Sequence, residues 1–324
     1  MNLGMKFGEV TMRSRTRILI ALPLLSIGGL IMYGLVVYLG SVTGVPNREV
    51  DWLSTLNSYR VSSGVNPVKE NERLSKASQG HADYLASTNT RYLVGKYQNL
   101  HKENPESPYA SRDGATVGAG VISWTNGKYA SAVDNLMTAP FHAIGLLREN
   151  LVDVGFGTSI SKENSYEPGT RITNITVLSG LRNLPRKKVI LFPGPNFVTH
   201  LNSFAGESPE PREACGAQFT EFQGLPIFAS LLHRPARDLK VSLKTPDGKI
   251  LTEGQELCVV TENNFLSTDL IYGPAGKSII RAEHLVFIIP RQALSEGKQS
   301  VQITESRRPD LQWSFSYKAP ELRF

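Results

Sequence analysis

Asn135-Leu136-Met137-Thr138-Ala139-Pro140-Phe141-His142 lies where the hydrophobic period of the chain is about to change. Val133, Leu136, Met137 and Phe141 recur at helical spacings, which predicts a helix over 130–147 that Pro140 bends or restarts. Beyond it, Val152, Val154 and Phe156 alternate with Asp153 and Gly155, the period of a strand. Arg171 to Leu178 (RITNITVL) reads as a second strand. Working back, Val50, Leu53, Leu56 and Tyr59 predict a helix over 49–63 that stops at Gly64. Another helix begins at Asn71 and ends near Asn89, with Leu74, Ala77, His81, Tyr84 and Leu85 on one face. A Pro- and Asn-rich loop follows from Asn99 to Gly114. Interleaved helices and strands make residues 47–183 an α+β unit.

Past Leu184-Pro185-Arg186-Lys187-Lys188 the signals change. A strand at 189–192 leads into a Pro-rich coil (Pro193, Pro195, Pro209, Pro211). Strands are then expected at 225–232, 239–244, 256–261, 278–289, 300–305 and 312–317, with no helix between them. Pro246-Asp247-Gly248 supplies a hairpin turn. This pattern predicts an all-β sandwich of immunoglobulin-like type over 187–324. Gly273-Pro274-Ala275-Gly276-Lys277-Ser278 has too few residues between its glycines for a phosphate loop and reads as a hairpin loop. Asn174-Ile175-Thr176 is a glycosylation sequon inside an expected strand.

Composition narrows the partners. The chain has 324 residues and a net charge of +6, with 35 Lys+Arg against 29 Asp+Glu. Four basic residues (Lys6, Arg13, Arg15, Arg17) and one acidic residue (Glu9) precede position 41. The rest of the excess is spread thinly, which gives no case for nucleic acid. Ile18 to Gly40 carries no charge and is long enough for a bilayer core, which needs about 20 helical residues. It exceeds the apolar region of a cleaved signal, so an uncleaved signal anchor is expected, with cleavage and secretion as the alternative. Arg13, Arg15 and Arg17 place residues 1–17 in the cytoplasm and the bulk of the chain outside a plasma membrane crossed once. That compartment permits a disulfide between Cys215 and Cys258, the chain's two cysteines.

The N-terminal soluble segment resembles the CAP superfamily of cysteine-rich secretory proteins, antigen 5 and pathogenesis-related proteins. Leu56-Asn57-Ser58-Tyr59-Arg60 before Gly64-Val65-Asn66-Pro67 is similar to its bacterial opening. Leu100-His101-Lys102-Glu103-Asn104-Pro105 is similar to its histidine loop. The stretch 135–142 and Val152-Asp153-Val154-Gly155-Phe156-Gly157 are similar to its later helix and strand. The resemblance implies an α-β-α sandwich with two histidines and two glutamates lining a cleft. His101 and His142 match the histidines. Gly118-Ala119-Gly120-Val121-Ile122-Ser123 has no carboxylate where the family has a glutamate, and Asp134 is the nearest acidic residue for the other. The tetrad is therefore incomplete. The end of the chain, with Phe287-Ile288-Ile289-Pro290, Val301-Gln302-Ile303 and Trp313-Ser314-Phe315, resembles bacterial immunoglobulin-like modules.

The expected function is a membrane-anchored, extracytoplasmic and non-enzymatic module for a lipid, a cell-wall component or a protein. One alternative is a hydrolase with His101 and His142 holding a divalent metal such as zinc, completed by Asp134 or a distant Glu. The other is a purely structural or adhesive ectodomain. His81, on the apolar face of its helix, is expected as a hydrogen-bonded core residue.

Overall fold

In α1 (Trp52–Ser62), Leu56 and Tyr59 are buried as their spacing predicts, while Leu53 is half-buried and Trp52 joins the buried face instead. The computed structural model describes residues 52–125, 132–204, 206–219 and 223–320. The apolar run 18–40 and the tail before it lie outside the described residues, among which no helix is long and apolar enough to cross a membrane. After β1 (Lys69–Glu70) comes α2 (Glu72–Ser87), capped by the Asn71 side chain, which accepts from the Leu74 N–H at 3.2 Å. α3 (Arg112–Val117) and β2 (Val121–Thr125) follow. Pro140 divides the predicted long helix into α4 (Ala132–Thr138) and α5 (Pro140–Leu147). β3 (Asp153–Ile160) and β4 (Arg171–Thr176) complete a sheet of order β1-β3-β4-β2.

Helices lie on both faces of this sheet. A Cβ on Gly155 or Gly157 would collide with the backbone of α2 at Leu74 or at Ser78–Gln79, so these glycines let α2 approach β3. Phe156 points the other way and stacks on Trp52 of α1 at 4.8 Å. Arg60 is fully buried and donates to the carbonyls of Asn66, Leu146, Arg148 and Leu151, which fixes α1 against the end of α5. Burial lowers its pKa to about 10.

The remaining strands are β5 (Ile190–Phe192), β6 (Val198–Thr199), β7 (Ser203–Phe204), β8 (Gln223–Gly224) and β9 (Ile227–Ser230). They continue as β10 (Lys240–Lys244), β11 (Ile250–Thr252), β12 (Leu257–Val260), β13 (Leu285–Pro290), β14 (Gly297–Thr304) and β15 (Leu311–Tyr317). One sheet has the order β12-β13-β9-β5 and the other β11-β10-β14-β15-β6, while β7 pairs with β8. All pairs here are antiparallel except β6 with β15.

One expectation fails in this region. The segment 273–278 is not a hairpin loop, and 278–289 is not one strand. Gly273–Ala282 forms a helix, α6, and β13 starts after it. Pro274 sits in the first turn, where its fixed φ suits a helix, and Gly273, Gly276 and Ile280 bury one face. The glycines that read as a turn instead allow close packing, since a Cβ on Gly276 would strike Pro209.

A continuous apolar core runs from Trp52 and Leu56 through Phe141 to Phe287 and Trp313. The Phe141 ring meets Phe287 at 5.1 Å and Phe265 at 5.7 Å, both edge to face. The described residues accordingly form a single compact unit.

Candidate functional site

Pro140 starts α5, which puts His142 in the first helical turn with its ring toward the segment that follows β7. There Nδ1 of His142 meets Oε2 of Glu207 at 2.8 Å. The other carboxylate oxygen of Glu207 accepts from the Phe141 N–H at 3.0 Å, one of the donors an α-helix leaves open at its start. The Glu207 side chain is only 2% exposed. Burial pushes its carboxyl above the usual range, and His142 and the Phe141 N–H hold it back in part. Since a carboxylate only accepts, the His142 Nδ1 carries the proton and Nε2 is left for other partners.

His101 sits in the loop before α3. Its Nδ1 donates to the Gly118 carbonyl at 2.7 Å, so its Nε2 too is uncommitted. Burial depresses its pKa to about 4, and neighbouring His142 and His81 push the same way against the Gly118 hydrogen bond. The ring is neutral at physiological pH. Tyr272 packs edge-on against it at 5.8 Å, and the Tyr272 hydroxyl accepts from the Leu100 N–H at 2.9 Å.

His101 and His142 line two adjoining cavities and share that wall with Ser208 and Tyr272. The first, about 540 Å³, is polar and aromatic, with Trp124, Tyr166, Glu167, Glu207, Glu210 and Arg212 among its lining residues. The second, about 440 Å³, is largely apolar, lined by Val121, Phe141, Val177, Pro209 and Ile279 among others. Both volumes fall within the range of small-molecule sites, about 300–1,000 Å³.

The wall bearing Glu207 is held from two sides. Arg212 donates to both oxygens of Glu210 at 2.7 and 2.6 Å. The 3-10 turn Pro211–Cys215 ends in the disulfide to Cys258 on β12, with Cα atoms 5.6 Å apart, as the two-cysteine count anticipated.

The other sequence candidates fall elsewhere. Asp134 is not among the residues lining either cavity. Its carboxylate accepts from the Tyr59 hydroxyl at 2.8 Å and meets Nε2 of His200 at 2.9 Å. His81 is fully buried, with Glu103 Oε1 at 2.9 Å and the Leu100 carbonyl at 3.1 Å. Glu103, whose other oxygen accepts from the Ser111 N–H at 2.7 Å, fastens the histidine loop to α2. Glu207 is the residue that sequence reading missed. Its segment, Gly206-Glu207-Ser208-Pro209, offers no spacing that ties it to His142, 65 positions away.

The donor set falls short of a metal centre. Each histidine offers one nitrogen, and among the described residues no three or more His, Cys, Asp or Glu side chains are grouped to hold an ion. A catalytic zinc takes about three protein ligands. Among the described residues no serine, threonine or cysteine is hydrogen-bonded to either imidazole.

Comparison with known proteins agrees with this architecture over one region. No curated protein matches the chain. Residues 53–178 match the sequence profile of the cysteine-rich secretory protein family, CAP. That region, which is similar to the family, contains both histidines and ends before Glu207, so residues outside the matched region finish the cavity.

Proposed function

We propose that this protein is a membrane-anchored, extracytoplasmic CAP-domain protein that binds a ligand, without catalysis, in the cavity between its CAP domain and its C-terminal region. The His142–Glu207 pair carries this reading. It is a buried, directional contact that one region alone cannot make, and it lies in the wall of a cavity with uncommitted imidazole nitrogens. Two oriented imidazoles without a third metal ligand or a positioned nucleophile suit recognition better than turnover.

The C-terminal region is read as an immunoglobulin-like sandwich. Its two sheets support this: the order β12-β13-β9-β5 corresponds to D-E-B-A, and β11-β10-β14-β15 to C′-C-F-G. The anchor reading rests on the uncharged run 18–40 and the arginines before it. The disulfide supports an oxidising compartment.

The test is to purify the full chain from membranes, extract small molecules from it and identify them by mass spectrometry. Ser208→Trp serves as the control, because Ser208 is exposed and borders both cavities. A molecule recovered from the native chain and lost from Ser208→Trp supports the reading. If nothing is recovered and a broad thermal-shift screen finds no stabilising compound, the ectodomain is structural or adhesive. Protease added to intact cells should remove the bulk of the chain; full protection would overturn the topology.

A further inference from the structure

We infer that the polar cavity recognises a saccharide. This rests on the ligand-binding reading above and names the chemistry of its ligand. Beside Leu100, Ile122, Leu136 and Ala139, three aromatic residues line this cavity: Trp124 on β2, Tyr166 in the loop between β3 and β4, and Tyr272 just before α6. Trp124 and Tyr166 meet edge to face, with centroids 5.8 Å apart and planes at 76°. A pyranose presents flat patches of C–H bonds that lie on such rings, and a rim of hydroxyls that both donate and accept.

The polar groups fit that rim. The Ser123 hydroxyl donates to the Asn135 side-chain oxygen at 2.7 Å, which leaves the Asn135 NH₂ as a donor. Glu167 adds a carboxylate acceptor, and the Nε2 atoms of His101 and His142 add two more. An alkyl chain would leave these groups unpaired at a cost. The adjoining apolar cavity is where an alkyl chain would go.

The loop that presents Tyr166 and Glu167 is set in advance. Asn164 and Glu167 hold φ of 70° and 49°, a region that non-glycine residues avoid. The Ser161 hydroxyl donates to the Tyr166 carbonyl at 2.6 Å, and the Thr170 hydroxyl to the Glu167 carbonyl at 2.8 Å. A fixed aromatic wall lowers the ordering cost of binding a flexible, hydroxylated ligand.

The test is calorimetric titration of the full chain, solubilised in a detergent without a sugar headgroup. The probes are chitotetraose, maltotetraose, sodium dodecanoate and tetra-alanine. Saturable binding of a tetrasaccharide is expected. Trp124→Ala removes one of the rings on which the saccharide rests, and should weaken that binding about tenfold, as loss of one aromatic contact does. Tyr166→Ala, at an exposed position, should weaken it at least as much. Thermal unfolding of each variant checks that it is folded. The inference is overturned if neither saccharide binds, or if both folded variants bind it as the native chain does. Dodecanoate or tetra-alanine binding in place of a saccharide overturns it while leaving a ligand-binding cavity. Silence from all four probes, with a ligand recovered in the extraction experiment, has the same meaning.

Discussion

His101 is neutral because its surroundings make charging it expensive, and this gives the protein a measurable acid response. Its pKa in the fold, about 4, lies below the unfolded value of 6.5. Above pH 6.5 both states are neutral and nothing is lost. Between pH 6.5 and 4 the unfolded chain takes up a proton that the folded chain refuses, so stability falls by up to about 3 kcal/mol. NMR should show His101 titrating near pH 4, with a matching loss in urea stability; titration near 6.5 would sink the argument. Glu207 makes the complementary case. Glu207→Ala leaves the Phe141 N–H and the His142 Nδ1–H without their buried acceptor. A loss of about 2–4 kcal/mol is expected in equilibrium unfolding. A change under about 0.5 kcal/mol, which is what an exposed site gives, would show that the pair is not formed. At this scale the sequence was only half readable. His101 and His142 stand in motifs that resemblance can carry over. Glu207 is brought in by tertiary packing, which leaves no local periodicity to read.

Among the elements, the strap from Gly206 to Cys215 matters most to the site, because it carries Glu207 and ends in the disulfide. Closing a separation of 43 residues contributes about 4 kcal/mol in the chain-entropy model. The paired replacement Cys215→Ala with Cys258→Ala should lower stability by roughly that amount. Hydrogen exchange should also speed up at the Phe141 amide, as the strap is no longer pinned. Unchanged exchange there would mean that Glu210–Arg212 and local packing hold the strap unaided. The elements best read in advance were those with a clean period and a cap, such as α2 with Asn71. α6 was misread because Gly273-Pro274 and Gly276 carry two meanings: turn residues by composition, and close-packing residues when Ile280 buries the same face. β2 escaped because glycines precede it and its residues 121–123 are all buried, so no alternation marks it.

Across the whole molecule, several polar contacts reinforce the shared core. Glu283 receives both Arg148 at 2.9 Å and Arg186 at 2.7 Å. The Lys187 and Lys188 backbone N–H groups reach Glu149 at 2.6 and 3.1 Å. One cooperative unfolding transition is therefore expected. Trp52 and Trp313 lie at opposite ends of the sequence, and each is a usable fluorescence probe once the other and Trp124 are replaced by Phe. Coincident urea midpoints are predicted, and separated midpoints would show that the two regions unfold independently. The sequence marked where composition shifts, near Leu184, but not that one core crosses the shift, because burial between distant segments is not written in either alone. The placement of Glu207 beyond residue 178 has a practical corollary. A gene fragment cut at the edge of the recognisable family would encode a cavity lacking one of its walls, with Phe141 stripped of its aromatic neighbours. Such a fragment would be an open half-mould, and its silence in any binding screen would describe the cut and not the protein.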